Sequence, residues 1–272
     1  MPPPAPKLHP ITAFTIEPKG PFTLASAARF VAGWPPGRAH TGEDELRLHF
    51  LVDDWSGPAR VTLTQRGDTV HGTVEADNAP RAIEQAARIV SLDHDGTKYP
   101  EVDDPIVNEL QRASGYLRPV LFHSPYEAAA WSILSARTGH AQAARLRDAL
   151  GETFPAPHEL LELRELPGLP QNKIGRLHGI AQAALEGRLE REPLLAEDPD
   201  SAYTRLQELP GIGPFYAGLI LIRGVGTTDV APKGEPRLEQ AVQERYGRPL
   251  AEVVDGWRPF RTWISVLIRS HA

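Results

Sequence analysis

The 272-residue chain contains no cysteine, and that absence removes at once a disulfide framework, an all-thiolate zinc site, a cysteine-ligated iron–sulfur cluster and a thiol nucleophile. Long apolar runs are missing as well: none approaches the ~18–20 residues that a membrane span needs. Residues 1–10 (MPPPAPKLHP) are proline-rich rather than a charged-then-apolar leader. There is no dominant charge of one sign. Lys and Arg number 29 against 35 Asp and Glu, a net −6, which argues against a surface that is basic all round but leaves room for a local basic face. A cytoplasmic protein with no membrane partner is expected.

Several common sites are also lacking. The ten histidines include no pair at zinc-protease spacing, and no phosphate loop with Gly-Lys-Ser/Thr occurs. Gly211-Ile212-Gly213 starts like a dinucleotide fingerprint, but Tyr216 stands where the third glycine belongs and a helix precedes it. No serine sits in a Gly-x-Ser-x-Gly elbow.

What is present divides by texture. Residues 13–18 (AFTIEP), 46–53 (LRLHFLVD), 60–65 (RVTLTQ) and 69–76 (TVHGTVEA) show the β-branched alternation of strands, with Arg66-Gly67-Asp68 as the turn between the last two. Helical spacing marks 24–34 and 80–92. The pattern predicts an α+β amino-terminal domain with a mainly antiparallel sheet over 1–95. A polar linker, 91–104 (SLDHDGTKYPEVDD), follows. Beyond it the strand signals stop, and helices are expected at 105–113, 125–150, 157–164, 170–187, 199–208, 214–224, 235–246 and 257–270. This all-α region, 96–272, is expected as two subdomains, roughly 120–228 and 96–119 packed with 229–272. The cations Arg164, Lys173, Arg176, Arg188 and Arg191 cluster ahead of an acidic run; alone, they read as a solvated helix face.

The most informative stretch is 206–224 (LQELPGIGPFYAGLILIRG). A helix ends near Leu209, Pro210 to Gly213 makes a tight turn whose glycines permit a left-handed backbone, and Pro214 restarts a helix at its first turn. Two helices joined by four residues leave N–H groups pointing outward at the positive end of the second helix, where a phosphate oxygen fits without a basic side chain. An ordinary helix–helix turn accounts for the same residues.

The run Leu209-Pro210-Gly211-Ile212-Gly213-Pro214-Phe215-Tyr216-Ala217, followed by Leu221-Ile222-Arg223-Gly224 and Asp229-Val230, resembles the helix-hairpin-helix DNA glycosylases, most closely the bacterial 3-methyladenine DNA glycosylase II family. Matching segments in the same order are 123–134, 166–187 and 257–263, so the resemblance spans most of 91–270. It implies a hydrolase that flips alkylated purines out of duplex DNA and removes them without a cofactor or catalytic metal, as a monomer. It also implies a hairpin of Pro210, Gly211, Ile212, Gly213 and Pro214 on the DNA backbone, whose carbonyls can hold a monovalent cation.

The family's catalytic aspartate falls on Glu235, a longer side chain that by residue type alone is a first-turn surface glutamate favoured by the helix dipole. Asp229 matches a non-catalytic aspartate at a helix end. Phe215 stands where strand-cutting relatives carry a lysine, which implies no lyase activity. Pocket walls fall on Phe215, Phe30, Leu219 and Arg269; the last two stand where the family has tyrosine and another aromatic. Trp131, Trp257 and Trp263 read as core. Arg137 occupies the place of the residue that fills the hole left by the flipped base, and Lys233 is a phosphate contact or a plain surface lysine. Glutamate for aspartate and the altered walls also motivate another reading, a catalytically degenerate module that binds distorted DNA; a hairpin for protein–protein contact is the third.

Overall fold

The computed structural model describes residues 10–32, 40–41 and 45–272. The proline-rich residues 1–9 and the end of the helix expected at 24–34 lie outside the described residues.

The amino-terminal part is one antiparallel sheet in the order β1-β5-β4-β3-β2, formed by β1 (Thr12–Ile16), β2 (His40–Thr41), β3 (Glu45–Leu51), β4 (Pro58–Arg66) and β5 (Thr69–Glu75). The alternation written in the sequence fixes its register. Leu46 faces Leu63, Leu48 faces Val61 and Val61 faces Val74, so one face is mainly apolar. Helices α1 (Leu24–Ala32) and α2 (Ala79–Ile89) cover that face with Leu24, Ala28, Val31, Ala82, Ala86 and Ile89.

The expected linker at 91–104 is instead packed. Ser91, Leu92, Tyr99 and Val102 are buried, and Arg118 donates to the carbonyls of Ser91, Lys19 and Pro21, tying the segment down. Its polar composition misled because the buried groups are satisfied by an arginine distant in sequence.

The remainder is helical: α3 (Pro105–Ser114), α4 (Pro125–Ser135), α5 (His140–Ala149), α6 (Pro157–Glu162), α7 (Gln171–Leu185), α8 (Arg191–Ala196), α9 (Pro199–Leu206), α10 (Pro214–Leu219), α11 (Pro236–Tyr246), α12 (Leu250–Val253) and α13 (Arg261–Ser270). The single helix expected at 125–150 is two, because the chain turns at 136–139, with Arg137 at φ +53° and Gly139 as the cap of α5. The short α8 and α12 were not expected, and the expected helix at 257–270 starts at Arg261 after a 3₁₀ turn at Val254–Trp257.

Two apolar cores hold this part. One gathers Trp131, Ile133, Leu177, Ile180, Leu206 and Ile220; the other gathers Tyr99, Leu238, Trp257, Phe260, Trp263 and Ile264. Trp131, Trp257 and Trp263 are buried as their spacing predicted. Asp104 pins the second core: it caps α3 through the Ile106 and Val107 N–H groups and accepts from the Tyr246 hydroxyl at 2.8 Å and the Trp257 indole at 3.1 Å. The first core belongs to 122–225 and the second to 99–117 with 238–268, and a cleft runs between them.

Candidate active site

The connection between α9 and α10 is longer than the four residues expected, because α9 stops at Leu206 and residues 207–209 relax into successive turns. The turn itself closes on Ile212 N–H donating to the Leu209 carbonyl at 3.1 Å. Only one of its glycines needs its freedom. Gly211 sits at φ +85°, and a Cβ there would meet Arg176 Cδ at 2.8 Å and Ile133 Cδ1 at 3.0 Å. Gly213 has φ −97°, open space where a Cβ would be, and no need for a left-handed backbone; the expectation that both glycines serve one purpose is corrected. Gly213 caps α10 without a side chain, so that turn presents backbone N–H groups at the helix start. The helix runs on past Leu219 as a π-helical turn through Val225, placing Phe215, Leu219 and Arg223 along one wall of the cleft.

That cleft holds a pocket of about 680 Å³. Phe215, Leu219, Phe30, Arg269, Lys233 and Glu235, all named from the sequence, line it together. Phe215 is 43% exposed, its ring edge-on to Tyr216 at 5.2 Å. Phe30 reaches in from α1 beneath the Arg223 guanidinium, 4.8 Å from its ring centre. Leu219 is half-buried against the first helical core.

Glu235 stands at the start of α11 with both oxygens oriented: Oε1 accepts from the Arg237 N–H at 3.2 Å and Oε2 from Arg269 Nε at 3.0 Å. Arg269 is therefore more than a pocket wall. Lys233 is tied to Asp200 at 2.8 Å and lies over the Tyr203 ring at 4.7 Å. Asp229 is consumed by structure, since Arg261 Nε at 2.8 Å, Arg258 at 3.1 Å and the Arg261 N–H all donate to it.

A second groove, of about 1010 Å³, runs along the hairpin, lined by Arg137, Lys173, Arg176, Gly211, Gly213 and Tyr216 among others. Arg137 is exposed at its rim. Lys173, which the sequence alone places among solvated cations, is buried and places its ammonium on the Leu134 and Ala136 carbonyls and the Thr138 hydroxyl at 3.0, 2.7 and 2.9 Å. It thereby caps α4 and fixes the turn that displays Arg137.

Among the pocket residues that escaped sequence reading are Arg223, Arg29 and Ser265. Arg223 donates to the Val120 carbonyl at 2.8 Å, and burial lowers its pKa to about 9. Arg29 lies at the rim with a bond to Ser26 at 3.0 Å. Ser265, on α13, borders the pocket with a buried hydroxyl that makes no hydrogen bond to the described residues. Arg223 lies in the run Leu221-Ile222-Arg223-Gly224 without a role being read for it, and no local pattern marks Arg29 or Ser265. Among the described residues no three His, Asp or Glu gather as a metal site would need, and no helix is long and apolar enough to cross a membrane.

No protein-family profile matches the chain. It is similar to DNA-3-methyladenine glycosylase 2 of Escherichia coli K12, 24% identical over 268 residues that cover 92% of this chain and 94% of that one. Among solved structures it is similar to the 3-methyladenine DNA glycosylase from Archaeoglobus fulgidus, with a TM-score of 0.76 and 20% identity over 95% and 97% of the two chains. It is also similar to the 3-methyladenine DNA glycosylase of Schizosaccharomyces pombe in complex with abasic DNA, with a TM-score of 0.51 and 19% identity over 69% of this chain and 95% of that one. Along nearly its whole length, then, the chain has the fold of the helix-hairpin-helix DNA glycosylases and a sequence similar to their 3-methyladenine branch.

Proposed function

We propose that the protein is a monofunctional DNA glycosylase that removes alkylated purines of the 3-methyladenine type from duplex DNA. The observation that carries this reading is Glu235: a carboxylate with both oxygens oriented, beside Phe215 in a pocket at the cleft between the helical cores, next to a hairpin whose second helix starts without a side-chain cap. The α10 N–H groups and the cations of the hairpin groove would take the DNA backbone. Arg137 would enter the gap left by the flipped nucleotide, and the pocket would receive the base.

In the reaction the C1′–N bond breaks and its electron pair leaves with the base. Water adds to C1′, and its proton passes to Glu235. The carboxylate stabilises the positive charge developing on the sugar and orients the water. Phe215 in place of an amine leaves no nucleophile at that position for a Schiff base, consistent with hydrolysis alone.

The test is Glu235→Gln, assayed under single-turnover conditions on duplexes carrying one alkylated purine. The variant keeps shape and hydrogen bonding and loses the charge. Excision should slow roughly 100-fold or more, while affinity for abasic DNA is kept. An unchanged rate would remove Glu235 from the chemistry. The Arg269–Glu235 pair favours a second reading, a module that binds distorted DNA without cutting it; abasic DNA bound by wild type with no base released from any lesion would establish that reading instead.

A further inference from the structure

The pocket's charge runs against a cationic guest. Among the described residues, five of its lining side chains are basic, Arg29, Arg223, Lys233, Arg237 and Arg269, and one is acidic, Glu235. Asp200 offsets Lys233 and Glu235 is already engaged by Arg269, so the balance at the base-facing wall stays positive. Arg223 stacks on Phe30 within the wall. The aromatic surface that would welcome a cation is half-covered from the start, because Phe30 already carries a guanidinium on its face.

Resting on the glycosylase reading, we propose that the pocket prefers neutral purine lesions with acceptor atoms along their edge, hypoxanthine being the simplest, over purines that carry a positive charge, and that Arg269 sets this preference. An arginine fork suits a purine O6 and N7, and Arg269 lines the pocket with its side chain part-exposed. Charge works in the same direction on the chemical step. When a neutral purine leaves, the electron pair of the broken C1′–N bond departs with it as a developing anion, which a guanidinium stabilises until solvent supplies a proton. A cationic purine leaves as a neutral molecule, gains nothing from the arginine, and is repelled by it before the bond breaks.

The experiment uses the full chain, single-turnover excision and two duplexes, one with a single hypoxanthine and one with a single N7-methylguanine, each rate divided by its spontaneous counterpart. Wild type should favour hypoxanthine. Arg269→Gln, which keeps a donor for Glu235 but no charge, should shift the ratio of the two rates toward N7-methylguanine by about tenfold or more. Arg269→Lys should restore most of the wild-type ratio, and abasic-DNA affinity reports that each variant is folded. If Arg269→Gln leaves the ratio unchanged while both bases are excised, the preference is overturned and the glycosylase reading stands. If wild type excises neither base, nor 3-methyladenine, while still binding abasic DNA, the glycosylase reading fails and this inference falls with it; if it excises 3-methyladenine alone, the preference is overturned and the glycosylase reading stands.

Discussion

Glu127 and Glu235 each meet an arginine, and the regions around them differ in what the meeting accomplishes. Glu127, in the first turn of α4, is sealed: its side chain is 5% exposed, that of Arg147 1%, and His123 Nδ1 lies 3.0 Å from the other oxygen. Glu235 and Arg269 keep 24% and 35% of their side chains open beside the cleft pocket. The first pair is closed on all sides and can only hold helices together. The second has solvent-accessible edges, so its charges remain available to something that enters. An ion pair reads as structure or as site according to what its free edges face, and residue type does not distinguish the two.

The largest expected effect comes from breaking the closed pair. Glu127→Ala strands a buried guanidinium and should cost about 3–5 kcal/mol of stability, read as a fall in Tm, while the folded fraction keeps its affinity for abasic DNA. Equal loss of stability and of affinity per folded molecule would erase the contrast between the regions.

Acid should find the same pair next. Burial alone would push the Glu127 carboxyl up, but His123 and Arg147 outweigh it and hold it down at about 2. A carboxyl lowered on folding contributes stability above its unfolded value, about 4.3, and loses it as pH falls toward the folded value. Between about pH 4 and 2, wild type should therefore lose about 2 kcal/mol that Glu127→Gln, already without it, does not lose. Denaturant midpoints across that window give the difference directly, and parallel curves for the two proteins would contradict the assignment.

How much of this was legible in the sequence follows the range over which each feature is specified. The sheet was readable because β-branched alternation is local, and Leu46, Leu48, Val61 and Leu63 all turn inward as spaced. The hairpin was readable from Pro210, Gly211 and Pro214. Lys173 was misread as solvated because its partners, the carbonyls of Leu134 and Ala136, lie nearly forty positions away and become acceptors only once α4 ends there. The Glu235–Arg269 contact spans α11 and α13 and has no local signature. Composition placed a linker at 91–104 for the same reason: Arg118, which satisfies its carbonyls, comes later in the chain. Local conformation was written locally; the charge balance of the pocket was not.

The hairpin repeats the contrast between closed and open regions within three residues. Gly211→Val forces a left-handed backbone on a β-branched residue and drives it into Ile133 and Arg176, so it should cost about 2 kcal/mol of stability or more. Gly213 offers the smallest effect on the fold and the sharper test. Its φ of −97° suits any residue, and a side chain there meets open space at the start of α10. An aspartate at that cap accepts from the first-turn N–H groups and sits at the positive end of the helix, so Gly213→Asp should leave stability unchanged or raise it by about 0.5 kcal/mol. Those same N–H groups are the ones assigned to a DNA phosphate, and hydrogen bonds to a charged group are worth about 1.5–3 kcal/mol, so occupying them with a carboxylate should weaken binding to abasic duplex about tenfold or more. Stability and affinity then move in opposite directions, which a general disruption of the hairpin cannot produce. Thermal melting alongside fluorescence anisotropy reads both, and a Gly213→Asp protein that binds as tightly as wild type would show that the start of α10 does not carry the DNA backbone.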